Sequence, residues 1–220
     1  QVQSTLFVDF FRVLGTFFRK PAIAVGIAYL LLYRFPEAQL LKLAAPFLLD
    51  PVEAGGLGLS TREVGVAYGT VGLIALTVGG IVGGLLIARF GLKACLWPLV
   101  WVMHLPNLVF LAMALWPPQQ LWVVSTALAM EQFGYGVGFA AYLMVMILIA
   151  EGPHKTAHYA ICTGFMALGM MLPGFWSGWL QDQLGYVGFF TWVMVAAIPS
   201  FVMTALIRVP EGFGRREPAA

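Results

Sequence analysis

Polar residues in this chain gather in short clusters, and between them the sequence stays apolar for stretches of roughly 20 residues or more. That is the length an α-helix needs to cross a bilayer core of about 30 Å. Six such stretches stand out, near Pro21–Leu48, Val64–Ala88, Ala94–Trp116, Leu121–Ala150, Ala157–Leu180 and Val187–Ile207. The breaks between them carry turn chemistry: Asp50 to Gly56 after the first, Trp116-Pro117-Pro118 after the third, Glu151-Gly152-Pro153 after the fourth. Ser60 followed by Glu63 forms a capping box that starts the second span. The pattern predicts an all-α membrane protein of six transmembrane helices.

The first 20 residues follow a different rhythm. Phe7, Phe10, Phe11, Leu14, Phe17 and Phe18 recur at three- and four-residue steps, with Arg12, Arg19 and Lys20 between them. This is the pattern of an amphipathic helix lying along the membrane interface. It has no small-residue cleavage site and the wrong charge order for a signal peptide. Because the chain starts at Gln1 rather than methionine, an upstream segment is expected.

Orientation follows from the basic residues. Arg12, Arg19, Lys20, Arg89, Lys93, Lys155, Arg208, Arg215 and Arg216 fall on one side of the six spans and Arg62 on the other. The excess places both termini in the cytoplasm. The organisation read from this is an interfacial helix over residues 1–20, three spans over 21–116, three more over 121–208, and a cytoplasmic tail over 209–220.

Self-comparison relates the two sets of spans. A shift of 94 residues carries Gly84 to Gly91 (GLLIARFG) onto Gly178 to Gly185 (GWLQDQLG), Gly80 onto Gly174 and Glu37 onto Glu131. Each copy has three spans, an odd number, so the copies must lie inverted in the membrane. Inverted three-helix repeats are the building unit of secondary transporters.

Composition changes the picture by exclusion. Of 220 residues 60% are hydrophobic and 10% charged, with a mean hydropathy of +0.88. A soluble domain carries about 25% charged residues, so a soluble enzyme is excluded, and a net charge of +2 leaves no basic patch for nucleic acid. Cys95 and Cys162 lie in apolar runs and read as small membrane-buried residues. His154 and His158 share the spacing of a zinc helix, but Lys155 stands where the general-base glutamate would be. No metal or other cofactor is expected, and Thr156 reads as a helix cap.

The stretch Gly84 to Lys93 (GLLIARFGLK) resembles the loop signature of the major facilitator superfamily, with Ala88 in place of its aspartate and Leu92 in place of its first basic residue. YRFPEAQLLKL, PFLLDPVEAGGLGLS, EQFGYGVGF and HKTAHYAICTGFMALGMMLPG resemble the AmpG-type muropeptide and sugar permeases. The resemblance covers the chain as spans seven to twelve of a twelve-span carrier. It implies half of a major facilitator fold, a multi-pass protein of a bacterial inner membrane, and a missing N-terminal six-helix half as partner. It also implies uptake of a small polar solute such as a muropeptide or sugar derivative, with a proton as the coupling ion.

Ionisable residues at bilayer depth are functional candidates, since each costs at least about 2.5–3.5 kcal/mol to insert. Arg34 and Glu37 lie one helical turn apart in the first span, with Pro36 between them as a kink site. Lys42 lies nearer the external end. Span four carries Glu131, Gln132 and Tyr135 among glycines. The expected substrate contacts are Arg34, Glu37, Lys42, Gln132 and Tyr135, with Glu131 as the proton-coupling carboxylate. Glu37 is expected as counter-charge to Arg34 or as a substrate contact. Tyr33, Tyr135 and Tyr142 offer faces for sugar stacking. His104, in span three with Pro106 and Asn107, reads as hydrogen-bonded within the bundle or as a proton relay. A half-carrier should also leave Arg34 and Glu131 on or beside a face with no partner in the chain. No nucleophile–base or metal constellation for an enzyme is present. Two alternatives stay open: a major facilitator carrier for another substrate class (sugar, peptide or drug), and a non-transporting membrane assembly or sensory protein.

Overall fold

In α1 (Phe11–Phe18) the aromatic spacing read from the sequence becomes a short helix, which turns through 91° into the segment Ile23–Leu49. The structure, a computed structural model, describes residues 11–216. Phe7 and Phe10 of the expected interfacial helix, and the last four residues of the tail, lie outside the described residues. The turn between α1 and α2 (Ile23–Leu32) is held by two devices. Ala22 adopts a left-handed backbone, φ 55°. Lys20 donates from Nζ to the carbonyls of Ile149 and Glu151, each at 2.6 Å. A cation at those carbonyls complements the negative end of a helix dipole.

The first long apolar run is broken where the sequence placed its kink site, slightly ahead of the proline itself. α2 ends at Leu32, Arg34 sits at φ −104°, ψ 18°, and α3 (Phe35–Leu49) restarts with Pro36 in its first turn. A proline ring clashes with the carbonyl four residues earlier, so the helix must open upstream of it. The next three elements are α4 (Thr61–Phe90), α5 (Leu92–Leu115) and α6 (Leu121–Ala150). The capping box is formed as expected: the Ser60 amide donates to Glu63 Oε2 at 2.8 Å, and the Glu63 amide donates to Ser60 Oγ at 3.3 Å. Within α4, Gly65–Gly72 is wound as a π-helix.

Helix Lys155–Leu206 is too long for one crossing, and it is divided at Gly185 (φ 65°, ψ 175°). We label its arms α7 (155–184) and α8 (186–206). Along α7, Phe17 packs on His158 and Phe165, Gly169 abuts the Leu30–Leu31 backbone and Gly174 lies under Lys42. Along α8 the order reverses: Tyr186 donates to Asp50 Oδ2 at 2.6 Å, Trp192 to Gln39 Oε1 at 2.8 Å, and Ser200 to the Tyr33 carbonyl at 2.7 Å. The chain therefore doubles back at Gly185. Gly91, between α4 and α5, has a similar backbone, φ 84° and ψ 153°. Thr156 is not a cap; the helix starts at Lys155, with His154 preceding it and no side-chain cap bond. His158 instead lies 3.1 Å from the Thr16 hydroxyl, tying α1 to α7.

The described residues are all helix and turn, with no strand. Among the described residues, four helices qualify by length and composition to cross a membrane (Thr61–Phe90, Leu92–Leu115, Leu121–Ala150, Lys155–Leu206), or five with the bent pair Phe11–Phe18 plus Ile23–Leu49. α4 meets α6 through glycines. The Cα of Gly79 faces the Phe133 carbonyl and that of Gly136 faces the Leu76 carbonyl, leaving no space for a side chain at either. The outer face of α4 exposes Ile74, Ile81 and Leu85, and that of α7 exposes Leu168, Phe175 and Trp179. Both cysteines are buried and free.

The tail is docked rather than loose. The Leu92 amide donates to the Phe213 carbonyl and the Arg216 amide to the Ala88 carbonyl, each at 2.8 Å. Lys93 and Glu211 form an exposed ion pair at 2.8 Å. The hydrogen bond from Lys93 and its charge hold the Glu211 carboxyl below the usual carboxylate range.

Candidate functional site

The break after Tyr33 sends Arg34 and Glu37 to different neighbours. Arg34 donates through Nη2 to the Tyr135 hydroxyl. Its guanidinium carbon lies 4.6 Å from the centre of the Phe139 ring, 5.3 Å from that of Tyr135 and 5.7 Å from that of Tyr142. Desolvated cation–π contacts of this kind are worth about 2 kcal/mol. These rings are part of a stack: Tyr135 on Phe139, Phe139 on Tyr142, Tyr142 on Tyr29 and Tyr33, all at centroid separations of 5.7–6.0 Å. The spacing of 135, 139 and 142 along α6 puts all three rings on one helix face.

Glu37 is not the counter-charge of Arg34. Its Oε1 lies 2.7 Å from His104 Nδ1 and accepts from Asn107 Nδ2 at 3.1 Å. Asn107 sits in the 3₁₀ turn Leu105–Asn107 within α5, which Pro106 imposes by removing a backbone donor. Of the two readings of His104, hydrogen bonding within the bundle is what the geometry contains. Asn107 was named in the sequence only for its place in the span; nothing in the pattern tied it to Glu37 on another helix.

Glu131 forms the third polar group. Gln132 donates from Nε2 to Glu131 Oε2 at 3.0 Å and to the Tyr68 hydroxyl at 3.1 Å. Tyr68 comes from the π-helical part of α4, and such widened turns recur at functional positions. The glycines at 65, 69 and 72 were its only sequence signal. Among the described residues Glu131 has no ion pair, and neither has Arg34. Lys42 stands apart: it is exposed and lies across Gly174.

Arg34 is 7% exposed, and Glu37 and Glu131 are 1% exposed each. Neither Arg34 nor Glu131 therefore lies open on a face with no partner, where the expectation was that they lie on or beside one. Tyr135, Phe139 and Tyr142 cover Arg34, while Gln132 and Tyr68 cover Glu131. The covering layer is thin in one place. A cavity of about 590 Å³ between α4 and α6 is lined by Thr77, Gly80, Tyr135, Gly136 and Phe139, so two of the rings that hold Arg34 face it. Four buried polar atoms here also lack a hydrogen-bonding partner among the described residues: Nε of Arg34, Oε2 of Glu37, Nε2 of His104 and Oδ1 of Asn107. Buried polar groups are ordinarily satisfied, which sets these four apart from the rest of the core.

No family model matches the chain. The anhydromuropeptide permease of Escherichia coli K12 is 24% identical over 195 residues, which is 89% of this chain and 38% of the permease. The chain resembles AmpG permeases along nine-tenths of its length. Putative transporter AmpG 2 of Rickettsia prowazekii is 24% identical over 198 residues, 89% of this chain and 47% of that one. An uncharacterised protein of Haemophilus influenzae is 24% identical over 211 residues, 92% and 48% respectively. The chain spans less than half the length of these relatives.

Proposed function

We propose that the chain is one half of a secondary transporter that takes up a small polar solute with protons across a bacterial inner membrane. The observation that carries this reading is the buried polar cluster: a guanidinium held on three aromatic rings, and two carboxylates of which neither, among the described residues, pairs with a lysine or arginine. A self-neutralised structural core would pair Arg34 with Glu37 directly, at a spacing that allows it. Here they are separated, and the cationic and acidic groups each keep partnerless atoms. The solute would meet Arg34, Gln132 and Tyr135, with Glu37 contributing through Oε2 and Lys42 reaching anionic groups at the far end of the span.

Glu131 is the proposed proton site. Its partner is an amide, which donates to a carboxylate and accepts from a carboxylic acid equally well. Either protonation state can therefore be held without rearranging the helices. The proposed six crossings in two inverted sets are supported by the reversal at Gly185 and the matching backbone at Gly91, 94 residues apart. The same offset relates the Gly80–Gly136 approach to the Gly174–Lys42 approach. An N-terminal six-helix half would cover the exposed faces of α4 and α7. Both termini would be cytoplasmic, as the basic residues require.

Transport assays in proteoliposomes of the full-length protein test the reading. Glu131→Gln should abolish accumulation driven by a proton gradient and leave solute exchange within about threefold of wild type. Arg34→Ala should weaken solute binding by tenfold or more. Accumulation against a gradient by Glu131→Gln would end the proton-site assignment. The enclosure of Arg34 and Glu131 favours a second reading, a non-transporting assembly or sensory protein, for which both variants would leave flux at the level of empty vesicles, as would wild type.

A further inference from the structure

We propose that the cavity at the α1–α2 turn binds the headgroup of an anionic phospholipid. The cavity is about 630 Å³ and lies where that turn meets the ends of α6 and α8. Its walls divide by chemistry. Ile23, Val25, Leu148, Ile149, Leu206 and Ile207 make an aliphatic side, while Lys20 and Arg208 supply two cations against the single carboxylate of Glu151.

The cations are placed to receive an anion. Lys20 is fixed by its bonds to the Ile149 and Glu151 carbonyls, and an ammonium group has three donors, so one remains for a ligand. Arg208 is exposed just past the end of α8 and has no ion pair among the described residues. Its planar fork suits a phosphate. The proposed level of the cavity is the membrane surface, which the 91° turn between Phe11–Phe18 and Ile23–Leu49 supports if α1 lies along the interface. Basic pockets between helix ends at a membrane surface are lipid headgroup sites. A soluble phosphate would use the cations alone; the continuous aliphatic side calls for a ligand that carries an acyl chain. Neither cation belongs to the polar cluster around Arg34 and Glu131, so the site is independent of solute transport.

Native mass spectrometry of the full-length protein tests this, with phosphatidylglycerol and phosphatidylcholine supplied at equal concentration. Wild type should retain phosphatidylglycerol preferentially, and glycerol phosphate at the same concentration should not displace it. Arg208→Gln should lower that retention about fivefold, the equivalent of about 1 kcal/mol for one basic residue at a membrane surface. Lys20→Gln should lower it further. Because Lys20 also secures the turn, Arg208→Gln with an unchanged melting temperature is the deciding variant. Equal retention of both lipids, retention indifferent to Arg208→Gln, or displacement by glycerol phosphate would each overturn the proposal.

Discussion

At the scale of single residues, the two glutamates 94 residues apart, Glu37 and Glu131, are supported unequally. Glu37 is held by a histidine and an asparagine from another helix, so its neighbours depend on it. His104→Ala would leave Glu37 with Asn107 alone, and a buried polar group deprived of a partner costs about 1–3 kcal/mol. Thermal unfolding in detergent should show that loss, with Glu37→Gln milder because an amide still accepts from Asn107. Glu131→Gln keeps both volume and the hydrogen bond with Gln132, so its stability should stay within about 0.5 kcal/mol of wild type while proton-driven transport fails. Arg34→Lys should not rescue solute affinity, because a compact ammonium cannot both stack on Phe139 and reach the Tyr135 hydroxyl as a planar fork does.

At the scale of elements, the glycines sort into two kinds that their number in the sequence does not distinguish. Gly79 and Gly136 form the α4–α6 contact, and a methyl group at either would meet backbone carbonyls that cannot swing aside. Gly79→Ala should therefore cost about 1–3 kcal/mol by overpacking. Gly84 and Gly178 face open space, so Gly84→Ala should be neutral or stabilise by about 0.5–1 kcal/mol through helix propensity. Gly91 and Gly185 belong to neither kind. Their positive φ with extended ψ is a region open essentially to glycine alone, and Gly185→Ala should cost about 1–3 kcal/mol. Unfolding midpoints of these three variants, measured together, would separate packing from backbone effects.

At the scale of the whole molecule, the faces of α4 and α7 and the docked tail are the features that report on assembly. The exposed side chains match at the 94-residue offset, Ile74 with Leu168, Ile81 with Phe175 and Leu85 with Trp179. A cysteine at Ile81 or Phe175 should react with a membrane-permeant thiol reagent in this chain alone and be protected when the proposed N-terminal half is present. The tail responds to pH through Glu211. Its carboxyl is held below the usual range by Lys93, so the bound state is favoured above the free carboxyl's pKa, and that preference is lost as pH falls through the lowered value. A spin label at Arg215 should thus become more mobile on acidification, and Glu211→Gln should show the same mobility at neutral pH.

The division between what was legible in the sequence and what was not follows the range of the interactions. Helix lengths, the capping box at Ser60, the turn glycines at 91 and 185 and the break near Pro36 depend on residues within a few positions of one another, and an apolar run of bilayer length has few other uses. The charged candidates were legible too, because an ionisable group at that depth is conspicuous by its cost. Their partners were not. Arg34 and Glu37, three residues apart, were expected to project from one helix face, with Glu37 as counter-charge or substrate contact. Opening the helix between Leu32 and Phe35 rotated one toward α6 and the other toward α5. His104, Asn107 and Tyr68 entered the site from helices separated from it by tens of residues, and no periodicity encodes such a meeting. The sequence determined which groups are costly to bury; tertiary packing decided which of them touch, because hydrogen bonds between helices depend on the rotation of each helix about its own axis.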